Sequence, residues 1–418
     1  MADVIRTYYA RLRLFSPNAR LLLASIVLTG ASLGVYRLLF NFYALSLGID
    51  ERIIGNFITV NSMTALIVAL PMGYLADAIG RKRAFLLGGG AVSLAILGMV
   101  LWPTLWVLYL MNVIMGAAQS LSGVTMAPFL LENSGEQERT YLFSLSSGVQ
   151  MLASFAGNSI GGYLPSWIAQ TKGIQATSSG AYAGALGIIT IFSIAGLLPF
   201  LFMRTRHLAN SERSLFAPLS YAAKNWTSFS KMVLPMLITS IGAGLFMPFM
   251  NIYFRQVYKQ PDPVIGNVLA WGALAMGIGL LIAPPIADRI GKIRLVVITQ
   301  GLSIPFLIIL GYAPWFWMSA IGHYVRLSLM NMGGPVYNAF VMEHVEPTAR
   351  AMVASLTSMA WNFGWAFSPS ISGWLQVHYG FGPVYLLVII LYSFSVFLYW
   401  KFFWKGSADP IHQVVAIE

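Results

Sequence analysis

A succession of long apolar runs constrains this chain more than anything else in it. Near residues 20–46, 53–78, 84–102, 105–131, 141–168 and 180–203, and again near 231–258, 263–288, 295–312, 315–342, 351–377 and 382–404, apolar residues continue between charged or Gly/Pro-containing turns. Each run reaches about 18 residues or more, enough for a helix to cross a bilayer. Backbone polar groups in hydrocarbon must be satisfied within the segment, which selects helices over open strands. The expected fold is therefore all-α, with about twelve transmembrane helices in two groups of six. That many spans and their connections use up the 418 residues, leaving no room for a large soluble domain. The composition, 57% apolar and 9% charged, agrees. The absence of cysteine excludes disulfide frameworks, thiolate metal sites and cysteine nucleophiles.

The net charge of +11 would point to nucleic acid in a soluble chain, but here its distribution matters more. With the N-terminus inside, 19 of the 25 Lys and Arg fall on the cytoplasmic side, concentrated before the first run, at 81–83, along 204–231, at 289–294 and near the C-terminus. The outer side receives Arg52, Lys172, Arg255 and Lys259. This bias predicts a plasma-membrane protein with both termini cytoplasmic, the lipid bilayer as its surroundings and no nucleic-acid partner. Arg6, Arg11, Arg13 and Arg20 precede an apolar run that is too long for a signal-peptide core and has no small-residue cleavage site, so this run is expected to stay as the first span.

The second half repeats the first at an offset of 211. The shift carries Ile54-Gly55-Asn56 onto Ile265-Gly266-Asn267, Asp77 onto Asp288, Gly80 onto Gly291, Arg83 onto Arg294, Glu132 onto Glu343 and Arg139 onto Arg350. With a one-residue slip, Asn41 and Tyr43 meet Asn251 and Tyr253. The expected organisation is a bundle over 1–203, a cytoplasmic linker over 204–230 and a second bundle over 231–418. Paired halves of this kind hold their ligand near the membrane midplane.

Between the second and third runs stands Gly73-Tyr74-Leu75-Ala76-Asp77-Ala78-Ile79-Gly80-Arg81-Lys82-Arg83, echoed by Ala287-Asp288-Arg289-Ile290-Gly291-Lys292-Ile293-Arg294. The first stretch closely resembles the loop 2–3 signature of the major facilitator superfamily, and the second lies where that family carries its weaker copy. With the six-plus-six organisation, the resemblance covers essentially the whole chain. It implies a secondary transporter working by alternating access, with the first, fourth, seventh and tenth spans lining a cavity. The general likeness is to efflux members.

Within this frame Asp77, Gly80, Arg81, Arg83, Glu132 and Arg139, with Asp288, Gly291, Arg294, Glu343 and Arg350, are read as a cytoplasmic gate. Glycine allows the tight reversal, Asp77 can face the positive end of a helix, and the basic residues at 81–83 and Arg294 can pair with the acids beyond the fourth and tenth spans. The alternative is that the cations only anchor topology. Gly157, Asn158, Gly161 and Gly162 in the fifth run, and Gly364, Pro369 and Gly373 in the eleventh, are small or bending residues that let helices approach closely. The fifth-span stretch also resembles a degraded antiporter signature of the family, with Asn158 in place of a proline.

Two arginines, Arg37 and Arg326, lie deep inside predicted spans, where charge is costly and as a rule functional. All 14 acids fall in termini, loops or span ends. An anionic substrate group, helix carbonyls or water must then compensate the two cations. The candidate binding set is Arg37 and Asn41, then Asn112, Met115 and Gln119, then Met247 and Asn251, then His323, Arg326 and Met330, grouped by helical spacing and by the repeat. The expected cargo is a small organic solute, anionic or amphiphilic, moved outward, with the protein acting as a monomer. Proton coupling through buried carboxylates is disfavoured, and a coupling proton on His323 stays open. The competing readings are a lipid or lysolipid flippase, a multidrug efflux pump and a non-transporting sensor. Enzymatic chemistry and a cofactor are not expected: His207, His323, His344, His378 and His412 are scattered without ligand spacing, and no P-loop is present.

Overall fold

The computed structural model describes residues 15–135, 139–204, 226–343 and 350–404, and among these residues there is helix and short connection but no strand. The first half consists of α1 (Pro17–Ser46), α2 (Glu51–Ile67), α3 (Ala69–Ile79), α4 (Arg81–Leu101), α5 (Leu105–Glu132), α6 (Arg139–Gly161), α7 (Leu164–Lys172), α8 (Ser179–Ala195) and α9 (Leu198–Leu201). The second half has α10 (Trp226–Phe246), a 3-10 turn at Met247–Phe249, α11 (Met250–Gln256), α12 (Asp262–Ile290), α13 (Lys292–Tyr312), α14 (Phe316–Glu343), α15 (Arg350–Tyr379) and α16 (Phe381–Phe403).

Local chemistry sets these boundaries. Ser16 caps α1 by accepting the Ala19 N–H at 3.2 Å, with Pro17 in the first turn where no N–H is required. Asp50 caps α2 through the Ile53 N–H at 2.9 Å. Four runs expected to be continuous are broken instead. The ring of Pro71 crowds the carbonyl of Ile67, where α2 ends, and α3 leaves at 57°. Pro165 does the same to Gly161 at the end of α6, and Pro199 to Ala195 at the end of α8. Pro248 lies in the 3-10 turn that separates α10 from α11.

Taken with these breaks, the helices follow the expected apolar runs. Among the described residues eight helices are long and apolar enough to cross a membrane, or nine if the bent α2–α3 pair forms one span. The long helices α6, α14 and α15 are not among them, since each carries polar side chains such as Gln150, Asn158, His323, Arg326, Asn331, Asn362 and Gln376.

The chain divides into two compact units, and they do not follow it linearly. One contains 15–49, 60–204 and 260–270; the other contains 50–59, 226–259 and 271–404. Contacts within each unit explain the exchanged segments. In the first, Gly266 packs on the Asn158 carbonyl, where a Cβ would stand 2.5 Å away, and Gly162 packs on the Asp262 carbonyl, 2.6 Å from where its Cβ would lie. The Tyr182 hydroxyl donates to Asp262 Oδ2 at 2.7 Å. In the second, Gly55 packs on the Pro369 carbonyl and Gly373 on the Glu51 carbonyl, again with no room for a methyl group. The 211-residue shift converts one set into the other, so the duplication is visible at the level of single contacts.

Each unit is sealed at one end by an apolar cluster. Phe85 stacks on Phe200 with centroids 4.9 Å apart and meets Phe129 edge-on at 5.4 Å, beside Phe15, Leu22 and Leu142. In the second unit Tyr337 meets Tyr399 edge-on at 4.9 Å, among Met232, Ile293 and Val296.

Candidate substrate and gating sites

The buried cation of the second unit lies in a cradle supplied by three helices. Arg326, on α14, is 2% exposed. Its Nη2 donates to the Tyr392 hydroxyl of α16 at 2.8 Å, and its Nη1 reaches Met247 Sδ at 3.4 Å. The guanidinium carbon stands 4.5 Å from the Phe246 ring centroid and 5.3 Å from that of Tyr392. Rings and one hydroxyl hold the charge, each cation–π contact contributing about 0.5–2 kcal/mol. Among the described residues no carboxylate pairs with Arg326, and its buried Nε has no partner.

His323, three residues earlier on the same helix, is also 2% exposed, and its Nδ1 is unpartnered. Its ring meets Phe254 edge-on at 6.0 Å. Gly272 of α12 makes room for it, since a Cβ there would stand 2.7 Å from Nε2. Trp365 of α15, which the sequence reading did not single out as a donor, has an unpartnered buried Nε1.

The remaining candidates separate into exposed and packed groups. Met247 joins Arg326 directly. Met330 does not: it is buried, and its sulfur accepts a hydrogen bond from Ser303 of α13 at 3.5 Å. Asn251 is buried, with its side-chain oxygen accepting the Ile252 N–H at 2.9 Å. In the first unit Asn112 donates to the Leu108 carbonyl of its own helix at 2.9 Å, while its main-chain carbonyl accepts from Asn61 at 3.3 Å. Asn61 is a neighbour that helical spacing does not reveal, and its carbonyl is also the surface on which Gly116 packs. Met115 and Asn41 are buried and Gln119 is half-buried. Arg37 differs from all of these: it is exposed, between buried Tyr36 and Leu38, and among the described residues no hydrogen bond or ion pair involves it.

At the gate, Arg81 bridges two acids, meeting Asp77 at 2.5 Å and Glu132 at 3.1 Å. The repeat of the second pair is present in the other unit, but through Lys292 rather than Arg294: Lys292 forms an ion pair with Glu343. Arg294 instead lies over the Trp404 ring at 5.9 Å. Lys292 is the residue an offset of 211 assigns to Arg81, and the shorter side chain still reaches. Lys82 caps carbonyls, donating to Leu201 at 2.7 Å and Met203 at 3.1 Å. Arg83 and Asp288 are exposed. Gly80 (φ 84°, ψ 153°) and Gly291 (φ 93°, ψ 147°) share a backbone conformation open essentially to glycine alone. The side chains of Arg139 and Arg350, and the acids Glu136, Glu138 and Glu346, lie outside the described residues.

Among the packing residues, Gly157 lies on the Ala31 carbonyl, Gly161 against Val35 at 3.1 Å from where its Cβ would stand, and Gly364 against Ser240 and Ile241. The Ser240 hydroxyl in turn donates to the Trp361 carbonyl.

Two related helical units built from apolar spans define a multi-pass membrane protein. The profile described as Major Facilitator Superfamily matches residues 22–239 and 232–415. The multidrug resistance protein MdtG of Dickeya zeae is 22% identical, over 89% of this chain and 91% of its own. The multi-drug resistance efflux pump PmrA of Streptococcus pneumoniae is 20% identical, over 90% and 94%. The crystal structure of the nucleoside transporter NupG superposes with a TM-score of 0.72 at 16% identity, covering 94% of this chain and all of that one. The chain belongs to the Major Facilitator Superfamily and is a membrane transporter, not an enzyme.

Proposed function

We propose that this transporter exports a small amphiphilic organic solute carrying an anionic group, by alternating access, and that Arg326 is the group in the second unit that meets the anion. The observation that carries this reading is the buried guanidinium with an unpartnered Nε and no described carboxylate beside it. A buried cation left without an acid is stabilised when a ligand supplies the negative charge. Phe246 and Met247 offer the apolar body of the ligand an adaptable wall beside the charge. In the first unit Arg37 is exposed. Export is supported by the names of the relatives, a multidrug resistance protein and an efflux pump.

A second reading has its own observation. Tyr392, Phe246 and Met247 already engage Arg326, as expected if the arginine ties three helices together in a pump for uncharged or cationic drugs.

Thermal-shift measurements on purified protein against anionic, neutral and cationic amphiphiles separate the two. On the proposed reading, anions raise the melting temperature by mass action and Arg326→Gln removes the rise, while Arg326→Lys keeps part of it. Stabilisation by neutral or cationic compounds alone, unchanged in Arg326→Gln, would leave the arginine as a tie.

A further inference from the structure

Helices α13 and α16 enclose a groove of about 560 Å3 on the second unit, lined by Val297, Gly301, Leu302, Val396, Phe397 and Trp400 among others. Its floor is shallow in side chains because Gly301 contributes none; its nearest neighbour is the Val396 methyl, 3.8 Å from where a Cβ would stand. The rim is large and exposed: Leu302, Phe397 and Trp400 are 54%, 47% and 48% accessible. In a membrane-spanning helix pair such a face meets lipid. Most of that contact is nonspecific, so a bound lipid needs a second feature.

That feature is at one end of the groove. Arg294 precedes Val297 by three residues, about 4.5 Å along the α13 axis, and Lys401 follows Trp400 directly. Both cations are exposed. The Arg294 guanidinium lies 5.9 Å over the Trp404 ring, which shows that the start of α13 and the end of α16 share one end of the unit. Lys401 folds back over Phe397, a groove-lining ring, at 6.0 Å from its centroid. The nearby Lys292 is already paired with Glu343. Two cations with no ion pair among the described residues and two tryptophans thus stand together at the end of the groove, the arrangement expected at a bilayer interface beside a lipid phosphate.

In the first unit the offset of 211 assigns Gly90 to Gly301, and it too is open, but the residue beside it is packed. A Cβ at Gly89 on α4 would stand 2.3 Å from the Leu197 side chain, and Lys82 is held by the carbonyls of Leu201 and Met203. The break between α8 and α9 delivers Leu197 there, whereas α16 is unbroken.

We propose that the α13–α16 groove is a binding site for an anionic phospholipid of the surrounding bilayer, with an acyl chain against Gly301 and the phosphate between Arg294 and Lys401. The site is separate from Arg326 and does not depend on the transported solute.

The test is native mass spectrometry of the full chain titrated with phosphatidylglycerol and with phosphatidylcholine of identical chains. Each cation near an anionic headgroup is expected to contribute about fivefold in affinity, so phosphatidylglycerol should bind clearly more tightly. Arg294→Gln with Lys401→Gln should abolish that preference, and Lys401→Gln alone should reduce it about fivefold. Gly301→Phe should weaken both lipids while a normal melting profile shows it folded; if it fails to fold, the exposed-charge variants decide alone. Equal binding of the two lipids by the native chain, or a preference surviving in the double variant, would overturn the proposal.

Discussion

Arg326 illustrates how a charge is kept inside a membrane protein without an acid. Its cradle is directional: Phe246 and Tyr392 present ring faces, the Tyr392 hydroxyl accepts one hydrogen bond and the Met247 sulfur another. Removing the single hydroxyl by Tyr392→Phe keeps the faces and leaves Nη2 unpartnered. A lost buried hydrogen bond to a charged group costs about 1.5–3 kcal/mol, so the variant should unfold earlier in a thermal melt yet still respond to an anionic ligand. At the gate, Gly80 and Gly291 hold φ of 84° and 93°. Gly80→Ala and Gly291→Ala should each destabilise by about 1–3 kcal/mol, comparable with one another because the conformation is the same. Unequal costs would mean the two reversals are not mechanically equivalent. None of these angles could be read from the sequence, but the motif spacing singled out both glycines.

Proline decides continuity at the scale of the helices. At Pro71, Pro165 and Pro199 the preceding helix stops at the residue four positions back. Pro128, Pro305, Pro335 and Pro369 instead lie inside helices that continue, which membrane helices tolerate when neighbours satisfy the freed carbonyls. The difference depends on what surrounds each proline, so apolar run length gave the existence of these helices and missed their breaks. Close packing was more legible. Gly162 and Gly373 each rest on a backbone carbonyl with no space for a methyl. Gly162→Val and Gly373→Val should therefore lower transport in proteoliposomes sharply. Wild-type transport in both would show that these contacts yield without consequence.

Across the whole molecule, the offset of 211 organises the gate pairs as well as the packing. Arg81 with Glu132 and Lys292 with Glu343 are copies of one interaction, each inside its own unit. Removing one such partly exposed partner, as in Glu132→Gln or Glu343→Gln, should cost about 1 kcal/mol or less in a melting experiment. The motif match points to Arg294 for the second pair, while the geometry follows the register and uses Lys292. Helical spacing also groups Met330 with Arg326, and the two do share a face of α14, but Met330 is taken up by Ser303 of the neighbouring α13. The fold was legible because run length and repetition survive divergence; the candidate site was legible only in its charges, since which polar side chain faces which neighbour is settled by packing. One pair of contacts shows what such a duplication can afford to forget. Gly266 rests on the carbonyl of Asn158, and Gly55 on the carbonyl of Pro369. The receiving atom is one that all twenty amino acids possess, so the two copies are free to spell that position differently, while the letter opposite it has to stay glycine in both.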